Sequence, residues 1–212
     1  MRGLLSGVTL ETITPPPLPP NFLGRTHLLK FLEEDAPKAQ IVMAPAGFGK
    51  TTLGAHWAQL NPGTIWFSCT PQDDLRIIFY RLISSFRQIW PTFAAWFQES
   101  IDVVNDLESH IKRVTEEISR LGTEVKIVFD DLEKMPPSNA RFIQIWTDNL
   151  PLNIKTLSLR RNAPLISYER AVELGVLKYL AAFDIRFQND EIIQLQNMYG
   201  AAMPEEELMR NI

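Results

Sequence analysis

An α/β fold, a parallel five-stranded sheet flanked by helices, is predicted for this chain of 212 residues by three observations. Short apolar runs with strand character alternate with segments of helical periodicity, the pattern of a doubly wound parallel sheet. The first buried run, Ala39-Gln40-Ile41-Val42-Met43, passes straight into the glycine-rich stretch Ala44-Pro45-Ala46-Gly47-Phe48-Gly49-Lys50-Thr51-Thr52. A later apolar run, Lys126-Ile127-Val128-Phe129, ends in the paired carboxylates Asp130-Asp131.

The elements follow in chain order. Residues 1–20 end in Thr14-Pro15-Pro16-Pro17-Leu18-Pro19-Pro20, read as a Pro-rich lead-in: a stiff extended linker or a strap laid on the surface. Asn21-Phe22-Leu23-Gly24-Arg25 comes next, then an amphipathic run from Thr26 to Asp35 with Leu28, Leu29, Phe31 and Leu32 apolar. Strand-like segments are expected at Gln40–Met43, Thr64–Ser68, Val125–Phe129, Lys155–Leu159 and Phe183–Phe187. Helical patterns separate them over about 50–60, 73–90, 105–121, 138–149 and 167–180. The tail is helical in pattern over Asp190 to Tyr199 and again over Pro204 to Ile212. Residues 21–200 are expected to form one α/β domain, and 201–212 the start of a truncated C-terminal helical segment.

Composition narrows the class. Hydrophobic residues at 45% and charged residues at 22% are ordinary for a core-forming globular protein. A net charge of −4 gives no overall basic field to attract nucleic acid. The single cysteine, Cys69, excludes an internal disulfide and fits a reducing compartment. No run approaches the roughly 18 apolar residues of a membrane span, and the N-terminus is too weakly patterned for a signal peptide. A cytoplasmic location is expected.

The glycine-rich stretch carries the chemistry. Backbone N–H groups in such a turn, the N-terminus of the helix behind it and one lysine together receive the phosphates of a nucleotide. Gly47-Phe48-Gly49-Lys50-Thr51 is the intact second half of G-x-x-x-x-G-K-[ST], and Ala44 stands where the first glycine is expected. Gly47 and Gly49 are the positions where a Cβ would most obstruct a phosphate, so alanine at the loop entrance is tolerable. Ala46, Gly47, Phe48, Gly49, Lys50, Thr51 and Thr52 are therefore the candidate nucleotide contacts. Lys50 is expected on the β- and γ-phosphates and Thr51 on Mg²⁺.

A phosphate loop needs an acid at the tip of a neighbouring strand to hold Mg²⁺. Asp130 is assigned to the metal with Thr51, and Asp131 to orienting or deprotonating the attacking water, with Glu133 as the competing base. A third strand, Thr156-Leu157-Ser158-Leu159, ends in Arg160-Arg161-Asn162-Ala163-Pro164. In the additional-strand P-loop NTPase architecture this strand lies between the loop strand and the acidic strand, giving the order 5-1-4-3-2, and its tip faces the γ-phosphate. Arg161 is the candidate reader of that phosphate and Arg160 the fallback.

These segments resemble one family in order. Ala44 to Leu53 is similar to the A-P-A-G-[FY]-G-K-T-T-L loop of the STAND signalling ATPases, and of the large LuxR-type transcriptional activators of the maltose-regulon kind among them. Ile65-Trp66-Phe67-Ser68, with Asp73-Asp74 and Phe79 to Ile83, resembles the W-[LF]-S-L-D…D…F…L-[IL] segment. Ile127 to Leu132 resembles the acidic strand, where the family often places histidine at the position of Glu133. Leu157 to Pro164 resembles the sensor strand, matching Arg161 to its arginine. Leu174 to Leu177 and Phe183 to Phe187 resemble the G-x-L…D-L-x-F stretch that follows. Phe22-Leu23-Gly24-Arg25 resembles a strap near the adenine, which adds Arg25 to the nucleotide contacts. The resemblance covers residues from about 21 to 200 and implies ATP or ADP with Mg²⁺ as ligands. It also implies slow hydrolysis and a nucleotide switch between oligomeric states. Self-association, or regulatory domains C-terminal to this segment, are the implied partners; no DNA-binding motif lies in this chain.

His27, His56 and His110 lack metal-ligand spacing, and the tryptophans fall inside apolar patterns. The aromatic segment Phe86 to Phe97 is read as a possible contact surface for a further domain. Two other functions stay open: a nucleotide-binding interaction module that does not hydrolyse, and a P-loop kinase acting on a small molecule, disfavoured by the lack of a clustered arginine lid.

Overall fold

The structure, a computed structural model, describes residues 13–34, 38–98, 103–162, 172–173 and 175–199. Within them five strands form one parallel sheet: β1 (Ala39–Met43), β2 (Ile65–Ser68), β3 (Val125–Asp130), β4 (Ile154–Arg160) and β5 (Leu177–Leu180). Their order is β2-β3-β4-β1-β5, which is 5-1-4-3-2 read from the other edge. The chain thus has the P-loop NTPase fold of the additional-strand type, with β4 inserted between β1 and β3. Six α-helices, α1 (Thr26–Glu33), α2 (Lys50–Leu60), α3 (Leu75–Ile89), α4 (Leu107–Ser119), α5 (Ala140–Asp148) and α6 (Asn189–Tyr199), and two short 3₁₀ turns, Leu132–Lys134 and Pro137–Asn139, are the other described elements.

The strands are apolar on both sides because helices cover both faces. Alternate strand residues feed two cores. Ile41, Ile65, Phe67, Ile127 and Phe129 pack with α3, α4 and α5. Val42, Trp66, Val128, Leu157 and Leu159 pack with α1 and α2. Register follows this alternation, with Ile65 beside Ile127 and Ala39 beside both Thr156 and Leu177. Gln40 points to the α1 side and is held by donating from Nε2 to the Leu32 carbonyl at 3.0 Å.

Helix α3 begins where the Asp74 carboxylate accepts from Ile77 N at 2.9 Å, an ordinary N-cap. Beside it lies a buried ion pair: the Arg81 guanidinium donates to Asp73, to the Ser68 carbonyl at 2.6 Å, and stacks 4.1 Å from the Phe67 ring centroid. Asp73 in turn accepts from Thr70 N at 2.6 Å, and its carbonyl accepts from the Asn139 side chain. This network ties the end of β2 to α3 and to the turn ahead of α5.

Two expectations are corrected. The fifth strand is Leu177–Leu180, at the end of the segment expected to be helical over 167–180, and not Phe183–Phe187. Leu177 and Leu180 pair beside β1 with their side chains buried. Phe183–Phe187 is instead a turn, because the Asp184 carboxylate accepts from Ala181 N at 2.7 Å and competes with strand pairing. Only Ile185 of its apolar residues is fully buried, while Phe183 is exposed.

The aromatic segment after α3 is core and not an open contact surface. Phe86, Phe93 and Phe97 are buried, and the Phe86 and Phe93 rings stack at 4.4 Å. Glu117 of α4 accepts from Ala94 N at 2.7 Å and from Trp96 Nε1 at 3.1 Å, closing the segment onto the helix. Trp57, Trp66 and Trp146 are buried as their patterns predict. In the lead-in, Ile13 is buried and Leu18 packs against the second core. Residues 1–12, 163–171 and 200–212 lie outside the described residues, and with them the proposed helical start at 201–212.

Candidate functional site

The loop after β1, the acidic end of β3 and the basic end of β4 meet at the C-terminal edge of the sheet. Parallel pairing forces this: Met43 lies beside Arg160, and Ser68 beside Asp130. Ala44 N donates to the Arg160 carbonyl at 3.2 Å, stitching the loop entrance to the sensor strand. Ala44 itself is buried in the second core. Its methyl fills that core, which is why alanine serves where the general motif has glycine.

Gly47 and Gly49 have φ of +88° and +74°, and nothing lies within 4 Å of where a Cβ would sit on either. A left-handed backbone with open space above it is a cradle that only glycine leaves free. Helix α2 starts at Lys50 directly behind it, so its free N–H groups and positive dipole end face the same space. Lys50 is buried, donates from Nζ to the Pro45 carbonyl at 2.8 Å, and has its pKa lowered mainly by burial. Three carboxylates oppose that shift, Glu133 most strongly, then Asp131 and Asp130, while Arg161 adds to it.

Thr51 and Asp130 are brought together as expected: the Thr51 hydroxyl donates to Asp130 Oδ1 at 3.1 Å, and Asp131 N donates to the same oxygen at 3.0 Å. Burial raises the Asp130 pKa, and the neighbouring Asp131 charge raises it further. A hydroxyl and a carboxylate side by side under a phosphate cradle fit Mg²⁺, which takes few protein ligands and keeps phosphate oxygens and water for the rest. No cluster of three or more His, Cys, Asp or Glu able to hold a metal occurs among the described residues.

Asp131 takes φ of +53°, a left-handed conformation that Asp tolerates better than most residues. Its carboxylate is paired with Lys134 Nζ at 2.5 Å. Glu133, in the short 3₁₀ turn Leu132–Lys134, reaches across to the end of β4. There its Oε2 accepts from Arg161 N at 3.0 Å, and its Oε1 lies 3.2 Å from Arg161 Nε. Arg161 is half exposed and also lies 3.9 Å from Asp131. Arg160 is buried, with its Nε donating to the Asn162 carbonyl at 2.6 Å, whereas the half-exposed Arg161 lies beside Glu133 and Asp131.

Beside the loop is a cavity of about 190 Å³, bounded by Phe22 and Leu23 of the strap, Phe48, His56 of α2, Phe187 and Leu195 of α6. It is smaller than the roughly 300–1,000 Å³ of a site for a whole drug-sized ligand and suits one ring system whose phosphates extend onto the loop. Arg25 lines it, but its guanidinium is committed to the protein. It pairs with Glu191 at 3.0 Å, donates to the carbonyls of Ile185 and Arg186, and lies 4.7 Å from the Phe187 ring centroid. Arg25 therefore holds the strap against α6, and the apolar neighbours are the surfaces a base would meet. His56 packs edge-on against Phe22 at 4.9 Å, and burial lowers its pKa. His56, Phe187 and Glu191 carry no motif that marks them as site residues, and Phe22 stands out only through the strap it shares with Arg25. The Arg25–Glu191 pair spans 166 residues and leaves no local signal; Glu191 is nonetheless an acid in the first turn of a helix whose fellow residues are mostly exposed.

No family model matches the sequence. The HTH-type transcriptional regulator MalT of Vibrio parahaemolyticus is 24% identical over 151 residues, 68% of this chain and 16% of that protein. Among solved structures, a Signal Transduction ATPase with Numerous Domains (STAND) with a tetratricopeptide-repeat sensor, from Pyrococcus horikoshii, superposes with a TM-score of 0.64. It is 18% identical, with 92% of this chain and 28% of that one covered. A Walker-type ATPase of Pyrococcus abyssi gives 0.55 at 13% identity, covering 92% of this chain and 64% of that one. The structural likenesses establish the fold. With the sequence match, they bear out the resemblance to STAND ATPases and MalT-type regulators that the motifs carry. The chain spans only a small part of both the regulator and the STAND protein it resembles.

Proposed function

We propose that this domain is an ATP-binding signalling module, a nucleotide-dependent switch with slow Mg²⁺-dependent hydrolysis, serving as the NTPase part of a cytoplasmic transcriptional regulator. One observation carries the reading: the open Gly47–Gly49 cradle, the Thr51–Asp130 pair and Arg161 converge at one sheet edge, beside a cavity sized for a base. Thr51 and Asp130 would hold Mg²⁺, which when bound neutralises phosphate charge. Lys50 leaves the Pro45 carbonyl for the β- and γ-phosphates, and the α2 N-terminus supplies the remaining donors. Arg161 meets the γ-phosphate, and Asp131 orients water, with Glu133 as the competing base. Ala46, Gly47, Phe48, Gly49 and Thr52 shape the phosphate and base contacts, and Arg25 acts from behind by fixing the strap.

A second reading has its own support. Both candidate bases are already engaged by cations, Asp131 by Lys134 and Glu133 by Arg161, which favours a module that binds without hydrolysing. Phosphate release from purified protein with ATP and Mg²⁺, followed over hours, separates them. Slow release above the Lys50→Ala background supports the ATPase, and none supports the silent module. Sedimentation with ATP against ADP tests the switch; identical profiles would remove it.

A further inference from the structure

Glu133 stands apart from the other two carboxylates at the strand ends. Asp130 is occupied by the Thr51 hydroxyl and Asp131 by Lys134. The Glu133 side chain is 13% exposed and spans from the end of β3 to the end of β4. One oxygen accepts from the Arg161 backbone. The other, Oε1, is buried and makes no hydrogen bond among the described residues, because its 3.2 Å approach to Arg161 Nε is off the donor's line. Arg161 and Lys50, the two groups a terminal phosphate would claim, both interact with Glu133.

We propose that Glu133 is a built-in anion that keeps Arg161 engaged until a terminal phosphate displaces it, so that the Glu133–Arg161 pair sets the preference between ATP and ADP. The inference rests on the nucleotide reading of the loop. A γ-phosphate cannot share Arg161 with Glu133 without two anions meeting at close range, so binding ATP costs the pair. ADP brings no charge to that position and leaves the pair intact. Glu133 then swings free only in the triphosphate state, giving β3 and β4 two discrete arrangements that report the nucleotide. This makes Glu133 a positioning residue acting through Arg161.

The test is calorimetric titration of MgATP and MgADP into wild type and Glu133→Gln, which keeps an acceptor for Arg161 N and removes the charge. Dissociation constants for ADP should stay within about twofold, while the preference for ATP rises about three- to tenfold, the range for releasing a partly exposed ion pair. In an Arg161→Met background the same Glu133→Gln change should move the preference by less than about twofold. Affinities for both nucleotides moving together would show a merely structural role and overturn the inference. A preference that falls, or a shift undiminished in Arg161→Met, would overturn it too. Wild type that binds neither nucleotide would remove the nucleotide reading itself, and the inference with it.

Discussion

Replacing Gly49 by alanine separates what the loop costs the fold from what it does for a ligand. Gly49 sits at φ +74° with nothing within 4 Å of a built Cβ, so the change introduces backbone strain and no collision. A left-handed alanine costs about 1–2 kcal/mol, and the stiffer unfolded chain returns about 0.4–1 kcal/mol. The net destabilisation is about 0.5–1 kcal/mol, a fall in Tm of about 1–4 °C for a chain of this size. Binding should suffer more, because the methyl occupies the space through which phosphate oxygens reach the loop N–H groups. Each charge-assisted hydrogen bond lost is worth about 1.5–3 kcal/mol, so MgATP affinity should fall at least tenfold. Thermal melts without nucleotide and calorimetry with MgATP read the two effects separately. A variant that melts slightly lower and binds MgATP as wild type does would refute the assignment of this cradle to phosphate.

Three further outcomes follow from named contacts. Asp131→Asn should leave nucleotide affinity within a few-fold and stop phosphate release; unaltered turnover would move the base role to Glu133. Asp130→Asn keeps an acceptor for Thr51 and Asp131 N but should abolish the Mg²⁺-dependent part of ATP binding, seen by titrating with Mg²⁺ and with a chelator. The Asp130 pKa is raised in the fold above its ordinary 3.8, so the wild type loses stability as pH rises from there through the folded value. The asparagine variant should be at least as stable at neutral pH, and urea midpoints should show its advantage shrinking toward pH 4. Arg81→Met strands the buried Asp73 carboxylate and should cost about 3–5 kcal/mol in urea unfolding; a loss under 1 kcal/mol would mean the pair is dispensable.

Much of this architecture was legible because its signals are local. Ala39 to Thr52 carries strand, loop and helix start in one run, and the apolar stretch ending at Asp130 announces its own sheet position. Those two segments, with Leu157 to Arg161, point to the additional-strand architecture and through it to the strand order. The fifth strand was misplaced because Leu177-Lys178-Tyr179-Leu180 is short and also suits a helix, and its identity depends on pairing with β1, 138 residues earlier. Phe183 to Phe187 looked like a strand by composition, yet the Asp184 side chain diverts the backbone into a turn. The Phe86 to Phe97 cluster looked exposed for want of a visible partner, and that partner is α4 through Glu117. The loop and the residues that gather around it were readable from residue type and spacing. The cavity beside the loop was not, because its walls come from the strap, α2, the turn at Phe187 and α6, which only the fold assembles. The pairing of Glu133 with Arg161 was hidden for the same reason, since neither residue reveals which of its neighbours it meets.

The central claim is that the loop at 44–52 receives nucleotide phosphates through Lys50. Calorimetric titration of MgATP into wild type and into Lys50→Ala, with both confirmed folded by circular dichroism, tests it most directly. The account predicts saturable binding by wild type and none by the variant. Binding by Lys50→Ala at the wild-type affinity would contradict it.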